Sequence, residues 1–203
     1  MFRLDNILEK WAVIYRPLSH ELGDKGERKT FFRISMIDAQ SYFVRNYSMQ
    51  PSPAMAYATH VDADMDKNNK HITYRHVIYF LVKQLNGSGK TNVTDEMAAT
   101  NARYATDDMV QDLLGFLDEM KRAACANKQE YTAPNGIVFR FDKLTQQGLR
   151  GLQLDEAHWG TLPPMLNGWQ ICGLSIDQVV PRHLCVNESK YLTAPSDTND
   201  DNT

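Results

Sequence analysis

Two short stretches carry the side-chain types that phosphate and metal chemistry requires. Asn86-Gly87-Ser88-Gly89-Lys90-Thr91 puts glycine backbone, an ammonium and a hydroxyl in one loop, and Asp155-Glu156-Ala157-His158 supplies adjacent carboxylates. In a nucleotide site, N–H groups around Gly87 and Gly89 would cradle phosphates and Lys90 would reach the β and γ phosphates. Thr91 and Asp155 would hold Mg²⁺, and Glu156 would polarise the attacking water. Four features oppose this assignment. Gln84 stands where such a loop opens on Gly or Ala. The residues Asn92, Val93, Thr94, Asp95 and Glu96 lack the apolar spacing of a buried helix whose N-terminus meets phosphate. Gly151-Leu152-Gln153-Leu154 is not the continuous apolar run of a central parallel strand. Finally, the strand feeding the loop has the pattern of half an antiparallel hairpin. A turn (residues 87–91) and a surface loop (155–158) are the plainer account.

Taken in order, the two stretches resemble the two signature motifs of DEAH-box helicase-like NTPases, which implies Mg²⁺-dependent ATP hydrolysis as an alternative function. Other candidates are weaker on chemical grounds. Leu113-Leu114-Gly115-Phe116-Leu117-Asp118-Glu119 mimics an apolar-then-acidic Mg²⁺ motif, but its 3.6-residue period makes it a helix. Asp62-x-Asp64-x-Asp66-x-Asn68 imitates the start of a Ca²⁺ loop; Lys67 replaces its glycine and Thr73 its closing glutamate, so the cage cannot close. A solvated hairpin face accounts for these acids, and a small-ligand or ion-binding domain drawing on His60 and His71 is a further alternative. His20-Glu21 has Asp24, not a second histidine, one turn on. His76 falls on an apolar strand face and is expected to be a hydrogen-bonded core residue. Cys125, Cys172 and Cys185 match no zinc spacing and are expected to be buried free thiols. The assigned reading therefore has no catalytic residues, no metal and no cofactor.

The elements that would position these groups begin with residues 55–83. Met55, Tyr57, Thr59, Val61, Ala63 and Met65 alternate, an Asp/Lys/Asn cluster (66–70) interrupts, and Ile72, Tyr74, His76, Ile78, Phe80 and Val82 resume. This predicts an antiparallel hairpin, with the second strand covered on both faces toward Val82. Leu4, Ile7, Leu8, Trp11, Ile14 and Tyr15 predict an N-terminal helix, with Asn6 and Glu9 as a capping pair. Phe31 to Ile34 is a short strand, and residues 38–47 are ambiguous between helix and strand. Residues 87–105 read as a long polar loop, after which Thr106 caps a helix striped by Val110, Leu113, Leu114, Leu117, Met120 and Ala124. Strands follow at 137–141, 149–154, 169–176 and 179–180, the last with an extension toward Val186. Aromatic residues serve core packing, with Tyr79 and Trp159 as interface candidates. Residues 196–203 are expected to form an acidic, disordered tail. Strands before and after one strong helix, without regular alternation, predict an α+β fold with a mainly antiparallel sheet.

Composition bounds the classes. The chain has 203 residues, 42% hydrophobic, and a formal net charge of −3. That is enough for one core in a single domain over residues 1–195 and gives no bulk attraction to nucleic acid. The absence of a long apolar run or leader pattern predicts a cytoplasmic chain with no membrane partner.

The layout of amphipathic N-terminal helix, long hairpin, strong helix and closing strands, ending in Asn167-Gly168-Trp169 and Pro181-Arg182, is similar to tail-terminator and tail-completion (neck) proteins of tailed bacteriophages. The likeness covers residues 4–187. It implies a non-enzymatic virion component that assembles as a homo-oligomeric ring, commonly a hexamer, against neighbouring tail or neck proteins.

Overall fold

A computed structural model describes residues 3–22, 28–34, 52–65, 71–84, 95–162 and 168–181, leaving out the side chains of 59–65 and 95. The expected α+β fold is present, with a mostly antiparallel sheet. The helices are α1 (Leu4–Ile14), α2 (Asp95–Cys125) and α3 (Lys143–Arg150). The strands are β1 (Phe31–Ile34), β2 (Ala54–Met65), β3 (His71–Lys83), β4 (Glu130–Thr132), β5 (Val138–Arg140), β6 (Leu152–Thr161) and β7 (Trp169–Pro181). The main sheet has the order β1-β2-β3-β7-β6, and β4 and β5 form a separate small hairpin. Among the described residues only the β1–β2 pair is parallel. No helix among the described residues is long and apolar enough to cross a membrane.

The hairpin forms where alternation places it, Ala54 pairing with Leu81 and Met65 with Ile72. Strand β7 then covers the other side of β3 along its whole length, from His71–Pro181 to Lys83–Trp169. Successive side chains of a strand leave opposite faces, so the central strands divide their apolar residues between two clusters. Met55, Tyr57, Ile78, Phe80, Cys172, Leu174 and Ile176 join the helices in the main core. Ala54, Ala56, Leu81, Trp169 and Ile171 gather in a second cluster, with Phe32, Ile34, Tyr79 and Leu162 against it. Phe80 and Leu81 are both fully buried, so β3 is covered on both faces at its far end.

Three local expectations are corrected. Arg3, not a capping pair, precedes α1, and it makes no side-chain cap. Asn6 and Glu9 turn instead to Arg33 of β1, whose guanidinium bonds both Glu9 oxygens (3.1 and 2.9 Å) and Asn6 (3.3 Å). A charge-assisted, bidentate bond outcompetes the reach-back to the chain's own backbone. The loop expected at 87–105 is helical from Asp95 onward. Its residues are good helix formers, among them Met97, Ala98, Ala99, Ala102 and Arg103, and the small Ala98 and Ala102 are buried. Thr106 therefore lies inside the helix, fully buried, with its hydroxyl donating to the Arg103 carbonyl at 2.8 Å. The strand expected at 149–154 is split: α3 ends at Arg150, and β6 starts at Leu152. Asp142 caps α3 by accepting from the Thr145 N–H at 2.6 Å.

The expected strands at 169–176 and 179–180 are one strand, β7. The ambiguous segment 38–47, the extension toward Val186 and the tail 196–203 lie outside the described residues.

Candidate functional site

Gly87, Gly89, Lys90 and Thr91 lie outside the described residues, but the strand before them does not. β3 runs antiparallel to both β2 and β7, whereas a phosphate loop follows a strand of a parallel sheet and opens a helix. Asp155 and Glu156 are exposed on β6, which has β7 as its only strand neighbour among the described residues. Gln153 pairs with Asp177 and His158 with Ser175, so residues 154–157 form a bulge opposite Ile176 alone, with Leu154 and Ala157 against the core. The two carboxylates thus sit on a bulge at a sheet edge.

The side chains of Asp62, Asp64, Asp66, Asn68 and His60 lie outside the described residues, and His71 is exposed. Among the described residues no group of three or more His, Cys, Asp or Glu could hold a metal ion. His76 is buried as expected and lies between the Tyr57 hydroxyl (2.8 Å from Nδ1) and Gln178 Oε1 (3.0 Å from Nε2). Burial pushes its pKa down. His20 is also buried; its Nδ1 accepts the N–H groups of Thr30 and Phe31, joining the segment after α1 to β1. Both imidazoles link separate segments of the fold. Cys172 is buried, and burial pushes its thiol up to about 11, but Cys125 is exposed, contrary to expectation. It is the last residue of α2, beyond the part of the helix that packs. Cys185 lies outside the described residues.

Two surface features stand out. The first is the half of β6 beyond the bulge, His158 to Thr161. It pairs in regular register with β7 and is exposed, with Trp159 48% accessible. The second is an open groove of about 400 Å³ where α1, α2 and the β4–β5 turn meet. Trp11 stacks on Tyr15 at 4.3 Å, and Phe116 meets Tyr131 edge-on at 5.7 Å. Each tyrosine hydroxyl donates to a carboxylate of α2, Tyr15 to Asp112 (2.7 Å) and Tyr131 to Glu119 (2.5 Å). Burial and the nearby carboxylate raise the Tyr131 pKa to about 12 and push Tyr15 up as well. Asp112 and Glu119 are seven residues apart, two helical turns, so they share one face of α2. Gly115 lies between them, and a Cβ there would meet nothing within 4 Å.

Around the same hairpin lies a smaller cleft of about 210 Å³, lined by Arg3, Asn6, Lys10, Arg140 and Asp142 over Met120 and Phe139. Sequence reasoning did not find either site. Tyr15, Asp112, Glu119 and Tyr131 are dispersed over 117 positions, and no local spacing links them. No family model and no curated protein matches this chain.

Proposed function

We propose that the chain is a non-catalytic assembly subunit, of the ring-forming kind represented by phage tail-terminator and neck proteins. The single observation that carries this reading is the edge of β6, which no second strand pairs with among the described residues. An exposed strand edge presents unpaired N–H and C=O groups and serves as a template for strand addition from a neighbour. The acids and bulge at 154–157 blunt one half of that edge, while His158 to Thr161 remain regular and carry a large exposed indole. Such a half-protected edge suits pairing at a defined place. The antiparallel α+β layout and the N-terminal helix on the main core are compatible with the same reading.

Light scattering after gel filtration, with negative-stain electron microscopy of the purified chain, tests it. The expected result is a discrete oligomer with ring-shaped particles. A monomer at tens of micromolar would overturn the proposal. So would Mg²⁺-ATP binding in calorimetry that Lys90→Ala abolishes, which would favour the NTPase alternative.

A further inference from the structure

The groove and the neighbouring cleft differ in charge. The groove lining contains Asp112 and Glu119 and no cation. One oxygen of each carboxylate takes a tyrosine hydroxyl, and the other makes no hydrogen bond among the described residues. Aromatic rings beside open carboxylate oxygens suit an ammonium or guanidinium, which gains from the ring face and from the charge together. The cleft has the opposite character. Arg3 there is committed to Asp5, but Lys10 and Arg140 are exposed and their side chains make no hydrogen bond or ion pair among the described residues. Its one acid, Asp142, is engaged in capping α3.

The geometry points to a contact between copies of this chain: the aromatic, acidic groove of one copy receives Lys10 and Arg140 of a second. This rests on the assembly reading and specifies where copies join, leaving the β6 edge for a different neighbour. The argument for a second copy is charge complementarity. Both features are built on the same three elements: α1 supplies Lys10 to the cleft and Trp11, Ile14 and Tyr15 to the groove. The β4–β5 hairpin supplies Arg140 to one and Tyr131 to the other. Each copy therefore carries both partners of the contact in fixed relation, as either a two-fold pair or a head-to-tail ring requires.

The test uses the full chain and three variants, with molar mass by light scattering and folding checked by circular dichroism. One variant is Asp112→Lys with Glu119→Lys, the second is Lys10→Glu with Arg140→Glu, and the third is Gly115→Leu. The last fills the groove from a position where a side chain meets open space, so it blocks the contact without disturbing the core. The wild type is expected to be oligomeric. Each charge-reversed chain alone should dissociate, with a dissociation constant raised about a hundredfold or more, and so should Gly115→Leu. Mixing the two charge-reversed chains in equal amounts should restore the oligomer, because each then offers the charge that the other lacks. An oligomer that persists in a folded Gly115→Leu chain would overturn the contact while leaving the assembly reading intact. A monomeric wild type would overturn both.

Discussion

Replacing Gln178 by leucine tests the buried polar network that joins α3 to the sheet. Gln178 is 3% exposed, and its Nε2 donates to the Gly148 carbonyl at 3.0 Å. Its Oε1 therefore faces His76 Nε2, which must carry the ring proton, and the other ring nitrogen accepts from Tyr57. The network is complete only with His76 neutral in this tautomer. Gln178→Leu removes an acceptor from the imidazole and a donor from Gly148, and neither group gains a replacement. Each buried group left unsatisfied costs about 1–3 kcal/mol, and the added apolar burial returns about 1 kcal/mol. The net loss at pH 8 should be about 1–5 kcal/mol, read from the shift of the urea midpoint at constant slope. The pH dependence has a definite sign. Burial lowers the folded pKa of His76 below its unfolded value, so its contribution is present above about pH 6.5 and is lost as pH falls through the folded pKa. The bond to Gln178 opposes that lowering. Without it the folded pKa drops further and the loss continues to lower pH, so the gap between variant and wild type should widen as pH falls through the wild-type folded pKa. A gap under about 0.5 kcal/mol at pH 8, well below the cost of even one unsatisfied buried group, would refute the assignment.

Four further outcomes follow from packing, charge and exposure. Gly151→Ala should destabilise by about 1–3 kcal/mol, because its Cβ would lie 2.2 Å from the Val179 carbonyl oxygen. Gly115→Ala should stabilise α2 by about 0.5–1 kcal/mol, since its Cβ meets open space; chemical denaturation separates the two. Hydrogen bonds from Arg3 and Arg33 hold the Asp5 carboxyl at about 2, below its ordinary value, so its stabilisation is present above about pH 4 and is lost as pH falls toward 2. Asp5→Asn should cost about 1 kcal/mol at pH 7, a value discounted because both arginines are largely exposed, and the two acid-denaturation curves should converge near pH 2. In a Cys185→Ser background, Cys125 should react with a thiol reagent in the native state. Cys172, fully buried, should react only in denaturant.

The legible parts of this fold are those in which a local period carries the information. Alternation from Met55 to Val82 reports a strand pair because each side chain has a defined face, and the polar cluster between its halves marks where the chain reverses. The opening helix and the stripe from Val110 to Ala124 were readable for the same reason. The illegible parts depend on partners distant in sequence. Residues 95–105 look like a loop because their buried side chains are alanines, which leave almost no hydrophobic signal. Short α3 exposes much of its surface, and only Leu149 anchors it in the core. Glu9 has the spacing of a capping residue until Arg33, 24 positions away, is brought beside it. The aromatic groove belongs with these, since its two Tyr–carboxylate pairs are separated by 97 and 12 residues.

The edge strand shows how one composition can imitate two functions. Adjacent acids after a short apolar stretch are what a Mg²⁺ site needs at the end of a central strand, where surrounding backbone and a dry environment concentrate their charge. At a sheet edge the same acids repel and solvate, which keeps a second strand from docking. Position in the sheet, not residue type, separates these uses, and Asp155 and Glu156 are at the edge, exposed and on a bulge. Had the acids continued past Ala157, the whole edge would be protected and would offer no support for the proposed strand addition. Instead His158, Trp159, Gly160 and Thr161 return to regular pairing with Ser175, Leu174, Gly173 and Cys172. A bulky Trp159 and an open Gly160 permit close backbone approach with an apolar anchor alongside. Leu162 donates its N–H to Ile171, so the N–H of Thr161 points away from β7. Under the proposed strand addition, Thr161→Pro, which removes that donor, should reduce higher-order assembly seen by electron microscopy while changing the proposed groove contact little.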